Sequence, residues 1–170
     1  PDGVLCLFDY REAKLSDFII SGKYRFVPEI FEILGRLMAS ELKEEILGKL
    51  FTGFVVAPVP LHTGRKLWRG FNQSEVLAET IAIDLNIPYI NVLRREKNTA
   101  VQKDLNKEQR AQNVKDAFSL DPGFEAAAPN VHVLLIDDVS TTGSTFLAAA
   151  GELKRAGFGK VWCLALASEH

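Results

Sequence analysis

A chain of 170 residues, 47% hydrophobic and 25% charged, is long enough to bury one core and short for two. Its net charge of −2 gives no electrostatic reason for nucleic acid to coat the domain, because sequence-independent binding needs a basic surface. No apolar run reaches the roughly 20 residues of a membrane-spanning helix, and no basic region followed by an apolar signal segment opens the chain, so a cytoplasmic location is expected.

Near the start, Cys6 lies among apolar neighbours, as does the distant Cys163. The pair reads as two buried thiols rather than a disulfide framework or a metal site. Residues 11–26 mix charges with Leu15, Phe18, Ile19 and Ile20 ahead of Gly22, which predicts a short helix and a turn. Pro28 opens a longer helical pattern whose apolar face is Ile30, Leu34, Leu37, Met38, Leu42, Ile46 and Leu50. Gly53 to Pro60 is β-branched and apolar, a strand whose prolines end ladder pairing.

Further along, Asn72-Gln-Ser-Glu75 is an N-terminal capping pattern, and Val76, Leu77, Ile81 and Leu85 continue it as an amphipathic helix. Ile87–Leu93 reads as a second strand. Residues 94–117 are polar, with a helix expected over Lys107 to Ala117. Asp121-Pro-Gly123 is a turn and a loop follows to Asn130. Val131–Ile136 is a buried strand, Ser144–Ala156 a helix closed by Gly157, and Lys160–Ala167 a final strand. Strands separated by helices imply an α/β fold, a mostly parallel sheet covered on both faces. Within one structural domain, residues 1–52 form an N-terminal helical segment packed on a core of residues 53–170. The opening at Pro1 without methionine and the close on Glu169-His170 are expected of a shortened chain, and neither end carries weight.

The chemistry concentrates at Ile136-Asp-Asp-Val-Ser-Thr-Thr-Gly-Ser-Thr145. In a parallel sheet, ligands bind beyond the carboxyl ends of the strands, where a loop turns into a helix. A helix starting near Ser144 presents unpaired N–H groups and the positive end of its dipole, which suits a phosphate. Thr141, Thr142, Ser144 and Thr145 add hydroxyls, and Gly143 permits close backbone approach or a positive φ. Asp137 and Asp138 would repel that phosphate, so they are read as acceptors for vicinal sugar hydroxyls, directly or through metal-bound water, and as strand-end acids outside the core. One sugar phosphate satisfies both halves. A phosphoacceptor receiver domain is excluded because only 32 residues follow Asp138, and a nucleotide P-loop because no Gly-x-x-x-x-Gly-Lys-Ser/Thr pattern occurs.

Residues Val133 to Thr145 closely resemble the phosphoribosyl-pyrophosphate motif of type I phosphoribosyltransferases. Three further segments narrow the likeness: Ala57-Pro-Val-Pro-Leu-His62, Arg69-Gly-Phe-Asn-Gln73, and Arg94-Arg95 with Thr99, Gln102, Leu105, Arg110, Asn113-Val114 and Ala117-Phe118. Together they resemble the ComF family, a phosphoribosyltransferase-like group associated with DNA uptake in naturally competent bacteria. The likeness runs from about Tyr10 to Ala167. Members of that family usually begin with a four-cysteine zinc ribbon; this chain has no such segment, so the residues here give no basis for predicting zinc.

The resemblance implies a type I phosphoribosyltransferase-like fold with an N-terminal helical hood. It implies that Asp137 and Asp138 hold the ribose and are the catalytic candidates, with Ser140, Thr141, Thr142, Gly143, Ser144 and Thr145 around the 5-phosphate. Leu61, His62 and Arg65 fall on the pyrophosphate loop, joined by Arg69 and Arg110, and Mg²⁺ would accompany the pyrophosphate ligand. Residues 94–115 match the mobile loop that closes over substrate, with seven Lys/Arg against three Asp/Glu. His62 is a candidate phosphate donor, a solvent-facing loop histidine being the competing reading. Trp68 and Phe71 read first as core anchors and second as base-stacking residues.

Two functions of different class follow. The first is transfer of a phosphoribosyl group from phosphoribosyl pyrophosphate to an unknown acceptor. The second is a non-catalytic adaptor of the DNA-uptake machinery, touching competence proteins and single-stranded DNA through the missing N-terminal segment.

Overall fold

The computed structural model describes residues 1–11, 13–43, 51, 53–97, 116–124 and 130–169. The expected helix over 107–117, the expected mobile loop of residues 94–115 beyond Lys97, and Arg110 therefore lie wholly or mostly outside the described residues.

The elements run β1 (Gly3–Asp9), α1 (Ala13–Arg25), α2 (Pro28–Leu42), β2 (Phe54–Pro58), α3 (Thr63–Arg69), α4 (Gln73–Leu85), β3 (Leu93–Arg95), β4 (Phe118–Leu120), β5 (His132–Ser140), α5 (Ser144–Arg155) and β6 (Val161–Ser168). Four strands form one parallel sheet in the order β1-β6-β5-β2, and β3 and β4 form a separate antiparallel pair. The period of two along each strand divides the core. Leu134, Ile136, Leu164, Leu166 and Val56 face one side, against Phe31, Leu34, Met38, Leu77 and Ile81 of α2 and α4. Val133, Leu135, Cys163, Ala165 and Ala57 face the other, against Phe146, Ala149, Ala150 and Leu153 of α5.

Helix ends follow their local chemistry. Asn72 caps α4, its side chain accepting from Ser74 N at 3.1 Å while its amide donates to Val59 O at 3.0 Å. Pro28 occupies the first turn of α2, where its missing N–H costs nothing. At Gly35 a β-carbon would lie 2.8 Å from Thr80 Cβ, so glycine sets the close approach of α2 to α4.

The structure departs from the sequence reading in several places. Residues 1–52 begin with a strand rather than a helix; its sheet pairing with β6 and the inward Leu5 and Leu7 give the run Val4-Leu-Cys-Leu-Phe8 its meaning. Cys6 is exposed on that edge strand, and only Cys163 is a buried thiol. Leu37 is 40% exposed, because the buried stripe of α2 runs through Phe31, Leu34, Met38 and Leu42 instead. Ile87–Leu93 does not form the expected strand: Tyr89 makes a single bridge to Val56, flanked by Val56 N to Pro88 O and Ile90 N to Val56 O, and Pro88 offers no N–H to extend it. Strand β5 is longer than expected and carries both acids within its ladder, Asp137 opposite Ala165 and Ser140 opposite Ser168.

Candidate functional site

The carboxyl ends of β5, β2 and β6 meet three segments: the turn into α5, the loop into α3, and the last turn of α1. Backbone bonds tie the frame. Val59 N donates to Ile136 O at 2.8 Å, and Glu169 N donates to Ser140 O at 3.1 Å.

The two acids are held differently. Asp138 is 4% exposed; its Oδ1 accepts from Val139 N at 2.9 Å, and its Oδ2 pairs with the Lys23 ammonium of α1. That Oδ2 is sealed from solvent. Asp137 Oδ1 accepts from Ser74 Oγ at 2.8 Å and from Asp138 N at 2.9 Å. Burial first, and the neighbouring Asp138 charge second, push the Asp137 carboxyl up to about 7, against the opposing pull of Ser74, the Asp138 N–H and Lys23. The expectation that both acids lie outside the core is corrected: a longer β5 carries them inward, where Asp138 requires a counter-charge.

Basic groups stand on both flanks. Burial lowers the Arg69 guanidinium from its usual range, with Asp138 acting in the opposite direction; its Nη1 donates to Gln73 Oε1 at 2.6 Å, and its buried Nε has no hydrogen-bond partner among the described residues. Burial likewise lowers Arg95, whose neighbours include Arg65 on the repulsive side and Asp137 on the attractive side. Arg95 lies over the Phe118 ring at 5.4 Å. Cations from three elements thus act on the carboxylates: Lys23 of α1 and Arg69 of α3 on Asp138, and Arg95 of β3 on Asp137.

The turn into α5 has the expected form. Gly143 has φ +71°, a β-carbon there would meet nothing within 4 Å, and so the need for glycine is conformational rather than steric. Thr142 Oγ1 and Ser144 Oγ share a hydrogen bond of 2.7 Å, and Ser144 N reaches Thr142 Oγ1 at 3.4 Å. Thr141 and Thr145 are half-buried beside them, while Ser140 is buried as the last residue of β5.

In the loop after β2, half-buried Leu61 leads to His62, which caps α3. His62 Nδ1 accepts from Gly64 N at 3.1 Å, and His62 O accepts from Arg65 N at 2.8 Å and Lys66 N at 3.0 Å. Those three N–H groups are engaged within the loop and the start of α3. The imidazole serves the helix start with one nitrogen, a role that neither sequence reading contains. Phe71 packs on Phe31 in the core as expected, but Trp68 is 60% exposed, its ring edge-on to Tyr24 at 6.3 Å and Phe26 at 5.3 Å. Sequence reasoning missed Lys23, Ser74 and Arg95 as site residues. Ser74 lies inside the capping pattern and Arg95 inside the family pattern, whereas nothing marks Lys23 among the charges of α1.

The order of the sheet, the acid pair and the turn into α5 define a type I phosphoribosyltransferase-like fold. Two solved structures share it at the level of fold: an allosteric regulatory enzyme of purine biosynthesis (TM-score 0.51, 22% identity, 80% of this chain and 25% of that one) and a glutamine phosphoribosylpyrophosphate amidotransferase from B. subtilis complexed with ADP and GMP (TM-score 0.51, 20% identity, 80% and 26%). Among curated proteins the chain is similar to competence protein F of Haemophilus influenzae, 39% identical over 66% of this chain and 50% of that protein. It is 34% identical to the DNA utilization protein YhgH of Escherichia coli over 88% of this chain and 66% of that one, and 28% identical to competence protein ComFC of Streptococcus pneumoniae over 89% and 61%. The chain belongs to the ComF family. It spans about half to two thirds of the length of these relatives. No family model matches it. No helix among the described residues is long and apolar enough to cross a membrane.

Proposed function

We propose that this chain binds phosphoribosyl pyrophosphate or a related sugar phosphate at the end of β5, and transfers the phosphoribosyl group to an acceptor. The observation that carries this reading is the pair of half-buried Asp137 and buried Asp138 leading directly into a turn with Gly143 at positive φ and a helix N-terminus. In this reading Asp137 and Asp138 accept from the ribose hydroxyls, and the first N–H groups of α5 with Thr141, Thr142, Ser144 and Thr145 hold the 5-phosphate. Arg65, Arg69 and Arg95 would stabilise the charge that develops on the oxygens of the departing pyrophosphate, a role that the sequence resemblance extends to Arg110.

The donors at hand suit Mg²⁺, which favours hard oxygen ligands and is held jointly by one or two carboxylates and a ligand's phosphates. Among the described residues no group of three or more His, Cys, Asp or Glu could hold a metal ion. Asp137 and Asp138 would hold it, and its positive charge would supplement the arginines on the leaving group. The protein would do this in the cytoplasm. The adaptor reading draws support from relatives named for competence and DNA utilization.

Calorimetry with phosphoribosyl pyrophosphate and Mg²⁺ tests binding, and a screen for pyrophosphate release across nucleobases tests transfer. The binding reading expects saturable heat that weakens by at least about tenfold in Asp137→Asn, since a charge-assisted hydrogen bond contributes roughly 1.5–3 kcal/mol. Equal affinity in that variant would refute the ribose assignment. Binding without release for any base would favour the adaptor.

A further inference from the structure

We propose that Lys23 is an internal counter-ion which a ligand must displace from Asp138, so that α1 sets the affinity of the site; this rests on the sugar-phosphate reading above. Both oxygens of Asp138 are already engaged, Oδ1 by Val139 N at 2.9 Å and Oδ2 by Lys23. Oδ2 is closed to solvent, and the Lys23 side chain is itself only 20% exposed. A sugar hydroxyl or a metal-bound water that uses Oδ2 must occupy the position of the ammonium. Two cations cannot share that buried oxygen without repulsion, so Mg²⁺ and Lys23 exclude one another there.

Release is feasible because other groups near Asp138 remain. Arg69 lies close enough for the Asp138 charge to act on its guanidinium, so the carboxylate is not stranded when Lys23 leaves. Lys23 sits in the last turn of α1, where a long flexible side chain has solvent within reach. Its neighbours are Tyr24 and Phe26, whose rings meet the exposed Trp68 of α3. Phe26 holds φ +59°, a conformation rare for a bulky residue. Movement of Lys23 therefore perturbs an aromatic cluster that reports on it.

The decisive measurement uses the wild-type chain. Lysine acetylation followed by mass spectrometry is read with and without phosphoribosyl pyrophosphate and Mg²⁺. The ion pair protects Lys23 in the free protein, and ligand is expected to raise its modification at least about threefold, the Trp68 emission changing in the same titration. A lysine that instead contacts the ligand's phosphates would become more protected, and that result overturns the proposal. In calorimetry Lys23→Gln, which keeps a donor but removes the charge, is expected to bind the ligand about five- to tenfold tighter, and Lys23→Arg to match wild type. Binding by wild type with unchanged or weaker affinity in Lys23→Gln overturns this inference and leaves the sugar-phosphate reading intact. Absence of binding in both proteins overturns the two together.

Discussion

Replacing Asp137 by asparagine should stabilise the protein at pH 8 and flatten its stability between pH 4 and 8. The group titrates near 3.8 in the unfolded chain and is pushed up to about 7 when folded, so the folded state binds the extra proton throughout that window. Its contribution is fully present below pH 4 and is lost as pH rises through about 7. A shift of that size has a ceiling of roughly 4 kcal/mol at about 1.4 kcal/mol per pH unit. Relaxation around the charge and the half-buried position of the carboxyl reduce the expected effect to about 1–3 kcal/mol. Asp137→Asn keeps an amide oxygen for Ser74 Oγ, which donates to the carboxylate at 2.8 Å, so the substitution removes charge without orphaning the serine. Urea unfolding of wild type and variant, followed by circular dichroism at five pH values, gives the difference directly. Asp2, Asp9 and Asp121 are held below the usual carboxylate range by their own hydrogen bonds, which Asp137→Asn does not touch, so their contributions cancel in that difference. Parallel stability curves, or a variant less stable at pH 8, would refute the assignment of a desolvated, charge-frustrated Asp137.

Four further outcomes are expected. Asp138→Asn should destabilise by about 1–3 kcal/mol in thermal or urea unfolding, because it breaks a largely buried ion pair while the Lys23 side chain can still turn to solvent; a loss under about 0.5 kcal/mol would mean that the pair is solvated. Gly143→Ala should cost about 1–2 kcal/mol through its left-handed backbone, and Gly143→Asn less, since nothing lies within 4 Å of the new β-carbon; equal costs would point to a steric role instead. Gly35→Ala should lower stability by up to about 2 kcal/mol, the 2.8 Å approach to Thr80 Cβ outweighing a gain of roughly 1 kcal/mol in helix propensity, and a higher melting temperature would show that α2 and α4 separate freely. The chain should bind a labelled single-stranded oligonucleotide weakly or not at all in fluorescence anisotropy at about 150 mM salt, given its net charge of −2; submicromolar affinity unaffected by phosphoribosyl pyrophosphate would reveal a separate DNA surface.

Features under local chemical control are legible in the chain alone. Asn72 caps its helix whatever packs around it, Gly143 is a residue that takes a positive φ without strain, and apolar residues at successive positions of the β5 and β6 segments need two covered faces. The acid pair and the hydroxyl-rich turn are readable for the same reason, since their chemistry is contiguous in the chain. How those acids are held is a property of the packed molecule. Asp138 meets a lysine 115 positions earlier in the chain, Asp137 meets Ser74 across 63 positions, and Arg95 acts on Asp137 from a separate strand pair. The length of β5 is likewise settled by its neighbour, since pairing with β6 continues through Ser140 opposite Ser168 and draws both carboxylates into the ladder. Burial and charge at one point depend on every segment that converges there, and the order of residues along the chain does not specify that convergence locally.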